Sequence, residues 1–469
     1  MENMMKKLIY ILVMLPVLLT ACIEDSISTS PADQPTFSVD TLDLGTLFTT
    51  QSSPTYAFTV HNRHDKVMSI SDIAMRDGGV FRVNVDGVAG TRFSNVEIRP
   101  NDSIYIFVEA TLPEAGQALP VAVEDHLDFV TNGVTRSVVI TATGQDVKRL
   151  QGLVVDHDMT LDASLPYQIF DSLVVRAGAT LTLAEGVKLH FHDKALLSVD
   201  GTLRSLGTVE RPVEMMGDRM DNVVGSTSFD LMASQWQGVV FNPGSRDNYL
   251  QHTWIRNTVG GVLVDSLGVT DTPGLTMVNC RLRNSATYAL TSIHSTIDAT
   301  GCEIADAAAG AVGLVGGRYS FNYCTFANYY LFAALGGPTV TMEYVMSDEA
   351  DDSGLPLMQA VFSNSIIYDG LGRDDLSYGD LTGSAVTFNR CLLKSAGTDD
   401  DNFINCIWDT DPLFYTVRNE YLFDYRLQPE SPAIEAADPA FPLSAAAEVD
   451  WYGIPRALTI GAYQYVAPE

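Results

Sequence analysis

The chain has 469 residues, with 58 acidic against 28 basic side chains, a formal net charge of −30 and a pI near 4.4. Such an excess of acid excludes nucleic acid and anionic lipid surfaces as charge-held partners. Thirty-six glycines beside so few basic residues fit an all-β, turn-rich protein.

The first 22 residues read MENMMKKLIYILVMLPVLLTAC: a basic start at Lys6 and Lys7, an apolar run from Leu8 to Leu19, then Leu19-Thr20-Ala21-Cys22. This order is a secretory signal over residues 1–21, and its apolar run is too short for a permanent span. Leu-Thr-Ala-Cys resembles the lipobox of bacterial lipoproteins. The resemblance implies an acylated, palmitate-bearing Cys22 as the membrane anchor. Ile23-Glu24-Asp25 resembles the acidic export signal of Bacteroidota-type surface lipoproteins, which implies the outer face of the outer membrane, a periplasm-facing anchor being the alternative. Residues 22–34, polar and Pro-containing after the acid, are expected to be the acylated cysteine and its tether.

Residues 35–147 carry alternating runs such as TYAFTVHN (55–62), IYIFVEAT (104–111) and SVVITATG (137–144), with turn clusters at Asp77-Gly78-Gly79 and Thr131-Asn132-Gly133. Short alternating strands between turns predict a β-sandwich. LDLGTLF (42–48), FTVHN (58–62), VEIRPNDSIYIFV (96–108) and TATGQ (141–145) resemble the immunoglobulin-like domains of the abnormal-spindle/Hydin type. That resemblance implies a spacer or adhesion module without catalytic residues.

From residue 148 the pattern changes. Cys280, Cys302 and Cys324 recur every 22 residues inside MVNCRLRN (277–284), ATGCEIAD (299–306) and FNYCTFAN (321–328), with further copies at 250–257, 362–369 and 388–395. A repeat of this length with one short strand per anchor marks a solenoid. Its period of two and its three bends per turn predict a right-handed parallel β-helix over 148–430. The fold class is thus all-β, a sandwich followed by a pectate-lyase-like solenoid. The anchor cysteines line one interior column, and the residue two later points inward with them. Arg281, Glu303, Ala305 and Ala327 fall on the opposite face, which predicts exposure and an ordinary surface pair between Arg281 and Glu303. Asn257, Asn284, Asp306, Asn328 and Asp369 stack at one bend. Adjacent cysteines are spaced for disulfides, a pairing that the spacing alone leaves open.

LVVRAGATLTLAEGVKLHFHDKALLSVDGTLRSLGTVERPVEMMG (173–217) and SQWQGVVF (234–241) resemble the opening coils of bacterial right-handed β-helix proteins. There His190 and His192 read as outward residues of a strand whose inward set is Val187, Leu189 and Phe191, and Trp236 reads as packed. At the end, SPAIEAA (431–437) and VDWYGIPRALTIGAYQY (449–465) resemble the choice-of-anchor module that closes such proteins, through Asp450, Gly453, Pro455, Arg456, Gly461, Ala462 and Tyr463. Glu435, Ala436 and Ala437 depart from that pattern. The resemblance implies that 431–469 caps the last coil, whose open strand edges need cover.

Chemistry on a β-helix needs either a calcium-binding carboxylate cluster with a basic residue or paired carboxylates on neighbouring rungs. The strands after the bend, 260–266, 288–294, 310–316 and 332–338, hold Asp265 alone. No catalytic residue and no metal ligand is therefore assigned. Acid gathers in the insertions, and their tyrosines and tryptophan suit stacking on sugars. The ligand-binding candidates are Asp351, Asp352, Tyr368, Asp374, Asp375, Tyr378 and Trp408. No cofactor is expected, calcium on these loops being the one alternative. The expectation is a monomeric surface lipoprotein that binds polysaccharide or another surface polymer without catalysis. A lyase or hydrolase with acids from 345–411, or a purely structural adhesin, are the alternatives.

Overall fold

The computed structural model describes residues 26–224, 227–343, 359–371, 375–378 and 385–467. The signal segment, Cys22, Asp351, Asp352 and Asp374 lie outside the described residues. The chain divides between Asp146 and Val147 into two units.

In the first unit, alternating sequence becomes two sheets over one core. One sheet orders Thr36–Phe37, Tyr56–His61, Ser103–Ala110, Phe81–Val85 and Val88–Gly90; the other orders Thr41–Phe48, Val134–Gln145, Val121–Thr131, Met68–Met75 and Arg92–Phe93. Phe58, Val60, Ile106 and Val108 from the first sheet meet Leu44, Ile70, Leu127, Phe129 and Ile140 from the second. The Asn132-Gly133 loop has φ of 50° and 80° between paired Thr131 and Val134. Two positive φ values match the right-handed twist of a tight hairpin, and Asn-Gly supplies them cheaply. Residues 27–34, expected within a free tether, are docked on this unit. Ser28 N donates to Val67 O at 2.8 Å, and the buried Gln34 amide donates to Thr131 O at 3.1 Å. Polar side chains that find backbone partners lose the freedom their composition suggests.

In the second unit, 27 strands join in one continuous sheet that winds as a parallel β-helix with three strands per coil. Column A runs from Met159–Leu161 to Phe403–Ile404. Column B runs from the first half of Lys148–Val155 to Ile407–Trp408, and column C from the second half of that strand to Leu376–Tyr378. Stacking repeats identical positions. Phe321, Phe362, Phe388 and Phe403 follow one another inside column A, with ring centroids 5.1, 4.7 and 4.8 Å apart. That is the strand-to-strand spacing itself, so each coil adds one ring to the stack. Cys280, Cys302, Cys324 and Cys391 are buried in the same core, unpaired, and Cys406 packs against it half-buried. Burial pushes the thiols of Cys302, Cys324 and Cys391 far up and that of Cys406 up to about 11. Trp236 is fully buried and stacked on Phe191 at 4.0 Å.

Two bends differ from expectation. Asn257, Asn284 and Asp306 adopt positive φ, whereas Asn328 and Asp369 stay within strands Thr325–Asn328 and Ile366–Asp369. The regular left-handed corner lies just before the anchor, at His252, Asn279, Gly301, Tyr323, Asn364, Arg390 and Asn405. Residues of such different kinds at one corner show the coil geometry overriding local preference.

The C-terminal segment, expected to cap the last coil, instead lies back along the flank of the solenoid. Asp438 N donates to Asn364 Oδ1 at 2.7 Å, Ala462 N to Thr325 Oγ1 at 2.9 Å, and Asn279 Nδ2 to Val449 O at 3.0 Å; the Trp451 ring lies 5.7 Å from His252. The strap therefore crosses several coils toward the N-terminal end. Its cause is the outward side of column B, where Ala305, Ala327, Ile366, Tyr368 and Leu392 form a second core with Phe414, Tyr425, Leu427, Trp451, Ile460 and Tyr463. Uncovered, that apolar stripe would face water. Gly301, with φ of 70°, leaves space for the strap, since a Cβ there would lie 2.1 Å from Arg456 Nη2.

The strap also corrects the expected surface pair. Glu303 is 1% exposed and bonds to Arg283, while Arg281 donates through Nε to Tyr463 Oη at 2.8 Å and lies 4.4 Å over the Trp451 ring. Burial raises the Glu303 carboxyl, but Arg283 and Arg281 outweigh it and hold the group below its usual range. The alternation is as expected; the exposure is not, because a segment from 150 residues downstream covers it. His190 is likewise buried, and His192 pairs with Asp218 at 2.7 Å.

Candidate functional site

Column A offers the solenoid's outward polar ladder. With Leu275, Met277, Ile297, Ala299, Tyr319 and Phe321 turned inward, the alternate positions Tyr249, Thr276, Asp298, Ser320 and Val361 stand in direct register on five successive rungs. Four steps of strand spacing make this row about 19 Å long, parallel to the solenoid axis. Thr300, Asn322 and Ser363 form a second polar row one pleat further on. The strap supplies the opposite wall through Phe441, Pro442, Ser444 and Ala446, and the enclosed groove measures about 310 Å³.

The electrostatics are simple. Asp298 is the single carboxylate among the described residues that line the groove, between the hydroxyls of Thr276 and Ser320. Burial alone raises its carboxyl. Tyr249 donates its hydroxyl to Gln251 Oε1 at 2.8 Å, and the Arg204 guanidinium lies 5.6 Å from its ring. Hydroxyls, an amide, one carboxyl and two aromatic rings line a trough. Such a trough can hydrogen-bond a hydroxyl-rich chain along its length.

Of the residues expected to bind ligand, the four that the structure describes, Tyr368, Asp375, Tyr378 and Trp408, do not line this groove. Tyr368 is buried beneath Phe414, with the Lys394 ammonium 5.4 Å from its ring. Asp375 is fully buried, and burial together with neighbouring Asp369 raises its carboxyl strongly. Tyr329 and Tyr330 are buried too. Among the described candidates, only Tyr378, 48% exposed, and half-buried Trp408 reach the surface, and both pack on Phe403. The returning strap accounts for the burial of Tyr368. Asp399 and Asp400 are spent on their own loop: Asp399 accepts from Trp408 Nε1 and Cys406 N, Asp400 from Asn402 N and Phe403 N.

Paired carboxylates are no closer on column C. Asp265 is in register with Ile293, then Val315, then Glu343, the fourth strand being Val340–Glu343 rather than 332–338. Three rungs put the two acids about 14 Å apart, beyond the 5–9.5 Å that glycoside hydrolysis uses. No group of three metal-ligating side chains converges among the described residues. The groove residues form no motif in the sequence, since Tyr249, Thr276, Asp298 and Ser320 share only their place in the repeat, three positions before the corner residue of each coil.

No protein-family model matches the chain, and no curated protein does. Among solved structures, a protein of unknown function from Porphyromonas gingivalis is similar at 12% identity over 26% of this chain and 49% of that one, with a TM-score of 0.19. The chain thus spans about half the length of that structure. The catalytic unit of a GH87 α-1,3-glucanase from Streptomyces thermodiastaticus is similar at 10% identity over 74% of this chain and 90% of that one, TM-score 0.18. A family 123 glycoside hydrolase from Clostridium perfringens is similar at 8% identity over 24% and 25%, TM-score 0.16. At such scores these likenesses carry no information about chemistry.

Proposed function

We propose that the chain is a cell-envelope lipoprotein, anchored in the outer membrane through Cys22 and facing outward, whose β-helix binds polysaccharide without catalysis. The N-terminal sandwich is its spacer. The observation that carries the binding reading is the axial groove on column A, a register-aligned ladder of hydroxyl and amide side chains holding one carboxylate, Asp298. Among the described residues of the groove Asp298 is the one carboxylate; by itself it can accept hydrogen bonds from sugar hydroxyls but cannot divide the acid and base roles that hydrolysis needs.

The test is a glycan array probed with the purified protein, followed by a reducing-end assay on every polysaccharide that binds. Binding without new reducing ends is expected, and Asp298→Asn with Tyr249→Ala should weaken it about tenfold or more, roughly 1.4 kcal/mol. New reducing ends lost in Asp298→Asn would overturn the non-catalytic reading. Protease shaving of intact cells tests the outward location.

A further inference from the structure

The strap carries a second cleft, of about 420 Å³, that shares no lining residue with the column A groove. Its walls are Tyr415, Arg426, Asp450, Tyr452, Ile454 and Tyr465. Two local devices build it. In the antiparallel pair Phe414–Thr416 and Asp424–Leu427, Phe414 and Leu427 turn into the second core, so Tyr415 and Arg426 turn out. In the turn closed by Gly453 N donating to Asp450 O, Trp451 is buried and Tyr452 faces outward. Tyr415 is left 64% and Tyr452 42% exposed, with the Arg426 guanidinium 5.8 Å from the first ring and 5.0 Å from the second.

The charges in this cleft are already answered. Arg426 donates through Nε and Nη2 to the Asp424 carboxylate, leaving its Nη1 donors over. Asp450 accepts from Tyr452 N, Ile454 N and Gln464 N. Two exposed aromatic rings, a spare planar donor and carboxylates already held by Arg426 or by backbone N–H groups match an uncharged sugar ring: its C–H face stacks on tyrosine and a hydroxyl accepts from the guanidinium. An acidic sugar would meet Asp424 and Asp450 without a free cation.

We propose that this cleft is a second saccharide subsite, specific for a neutral pyranose unit of a polymer. Residues 441–446 wall the column A groove and 450–454 line this cleft, so one short stretch of strap serves both. Two sites so close on one unit raise the avidity for a long chain without any new contact. The subsite stands whether or not the column A groove is occupied.

The test is calorimetric titration of the purified protein with neutral hexasaccharides (cellohexaose, mannohexaose, xylohexaose) and with hexagalacturonate. At least one neutral hexasaccharide should bind, and Tyr452→Ala with Tyr415→Ala should weaken it tenfold or more. Tyr452→Phe should retain binding, because stacking needs the ring and not the hydroxyl. Both tyrosines are exposed, so an unchanged thermal midpoint verifies folding. Asp298→Asn with Tyr249→Ala separates the two sites: a loss there alone upholds the column A groove and overturns this proposal, whereas a loss in the tyrosine variants alone upholds this proposal and overturns the groove. Absence of any neutral binding, or tighter binding of hexagalacturonate, overturns it as well.

Discussion

The Tyr463 hydroxyl donates to Glu303 Oε2 at 2.5 Å, joining the strap to the solenoid across 160 residues of chain. The same carboxylate bonds to Arg283, and Arg281 bonds back to Tyr463. The strap's Tyr463 thus joins two guanidinium groups and one buried acid into a single hydrogen-bonded network.

Removing one partner of a buried pair leaves an uncompensated charge, so Glu303→Ala should cost about 3–5 kcal/mol. Tyr463→Phe removes two hydrogen bonds, the one donated to Glu303 and the one accepted from Arg281, and leaves Arg283 in place, so it should cost at least about 1.5–3 kcal/mol. Urea unfolding followed by limited proteolysis checks both. Early cleavage between residues 411 and 467 is the expected mark of a released strap, and equal stability of the two variants would contradict the network described.

The thiol column makes a simpler prediction. Cys280, Cys302, Cys324 and Cys391 are buried away from reagent, and in the last three burial also opposes the thiolate that reacts. Iodoacetamide at pH 8 should label these four only after denaturation, with Cys406 the first to react. Cys302→Ser should cost about 1–3 kcal/mol, because a hydroxyl would replace a thiol in an apolar column. Rapid native labelling of Cys302 would contradict the interior placement.

The solenoid was legible because a period of 22 with alternation inside it admits few foldings, and Cys280, Cys302 and Cys324 report the interior directly. Glu303 shows where such reading stops. Its place on the outward face follows from the alternation, but its burial depends on Tyr463 and Trp451, which no local pattern links to it. Tyr368 was misplaced for the same reason: polar loop neighbours suggested exposure, and Phe414 covers it. Asp298 is hidden for another reason: Tyr249, Thr276, Asp298 and Ser320 are four different residue kinds that only the register of column A brings into one row.

His190 should give the solenoid an acid-sensitive element. Burial lowers its imidazole to about 4, with Arg256 and Lys188 adding to the effect and the Gly217 carbonyl and Glu214 opposing it. The folded state therefore binds fewer protons than the unfolded one between about pH 6.5 and 4, and stability falls as pH drops through that window. The full shift corresponds to about 3 kcal/mol. Asp306, raised to about 6 chiefly by burial despite Arg283 and Tyr425, acts with the opposite sign over part of the range. The clean measurement is the difference between wild type and His190→Gln. The variant should gain on the wild type from pH 6.5 to 4 and run parallel to it above 6.5.

Asp375 should behave in the reverse sense. Burial raises its carboxyl, and the neighbouring Asp369 carboxyl raises it further, because two acids side by side cannot both ionise out of water. The folded protein then keeps a proton that the unfolded chain gives up above the usual carboxylate range, so this site loses stability as pH rises toward neutrality. Asp375→Asn keeps the shape and removes the ionisation. It should match the wild type near pH 4 and exceed it by about 1–3 kcal/mol at pH 8, the usual cost of a poorly satisfied buried polar group. Thermal midpoints of both proteins at pH 4, 6 and 8 check this. A variant less stable than wild type at pH 8 would mean that the Asp375 carboxylate is ionised and held by a cation, and the shared-proton arrangement with Asp369 would be wrong.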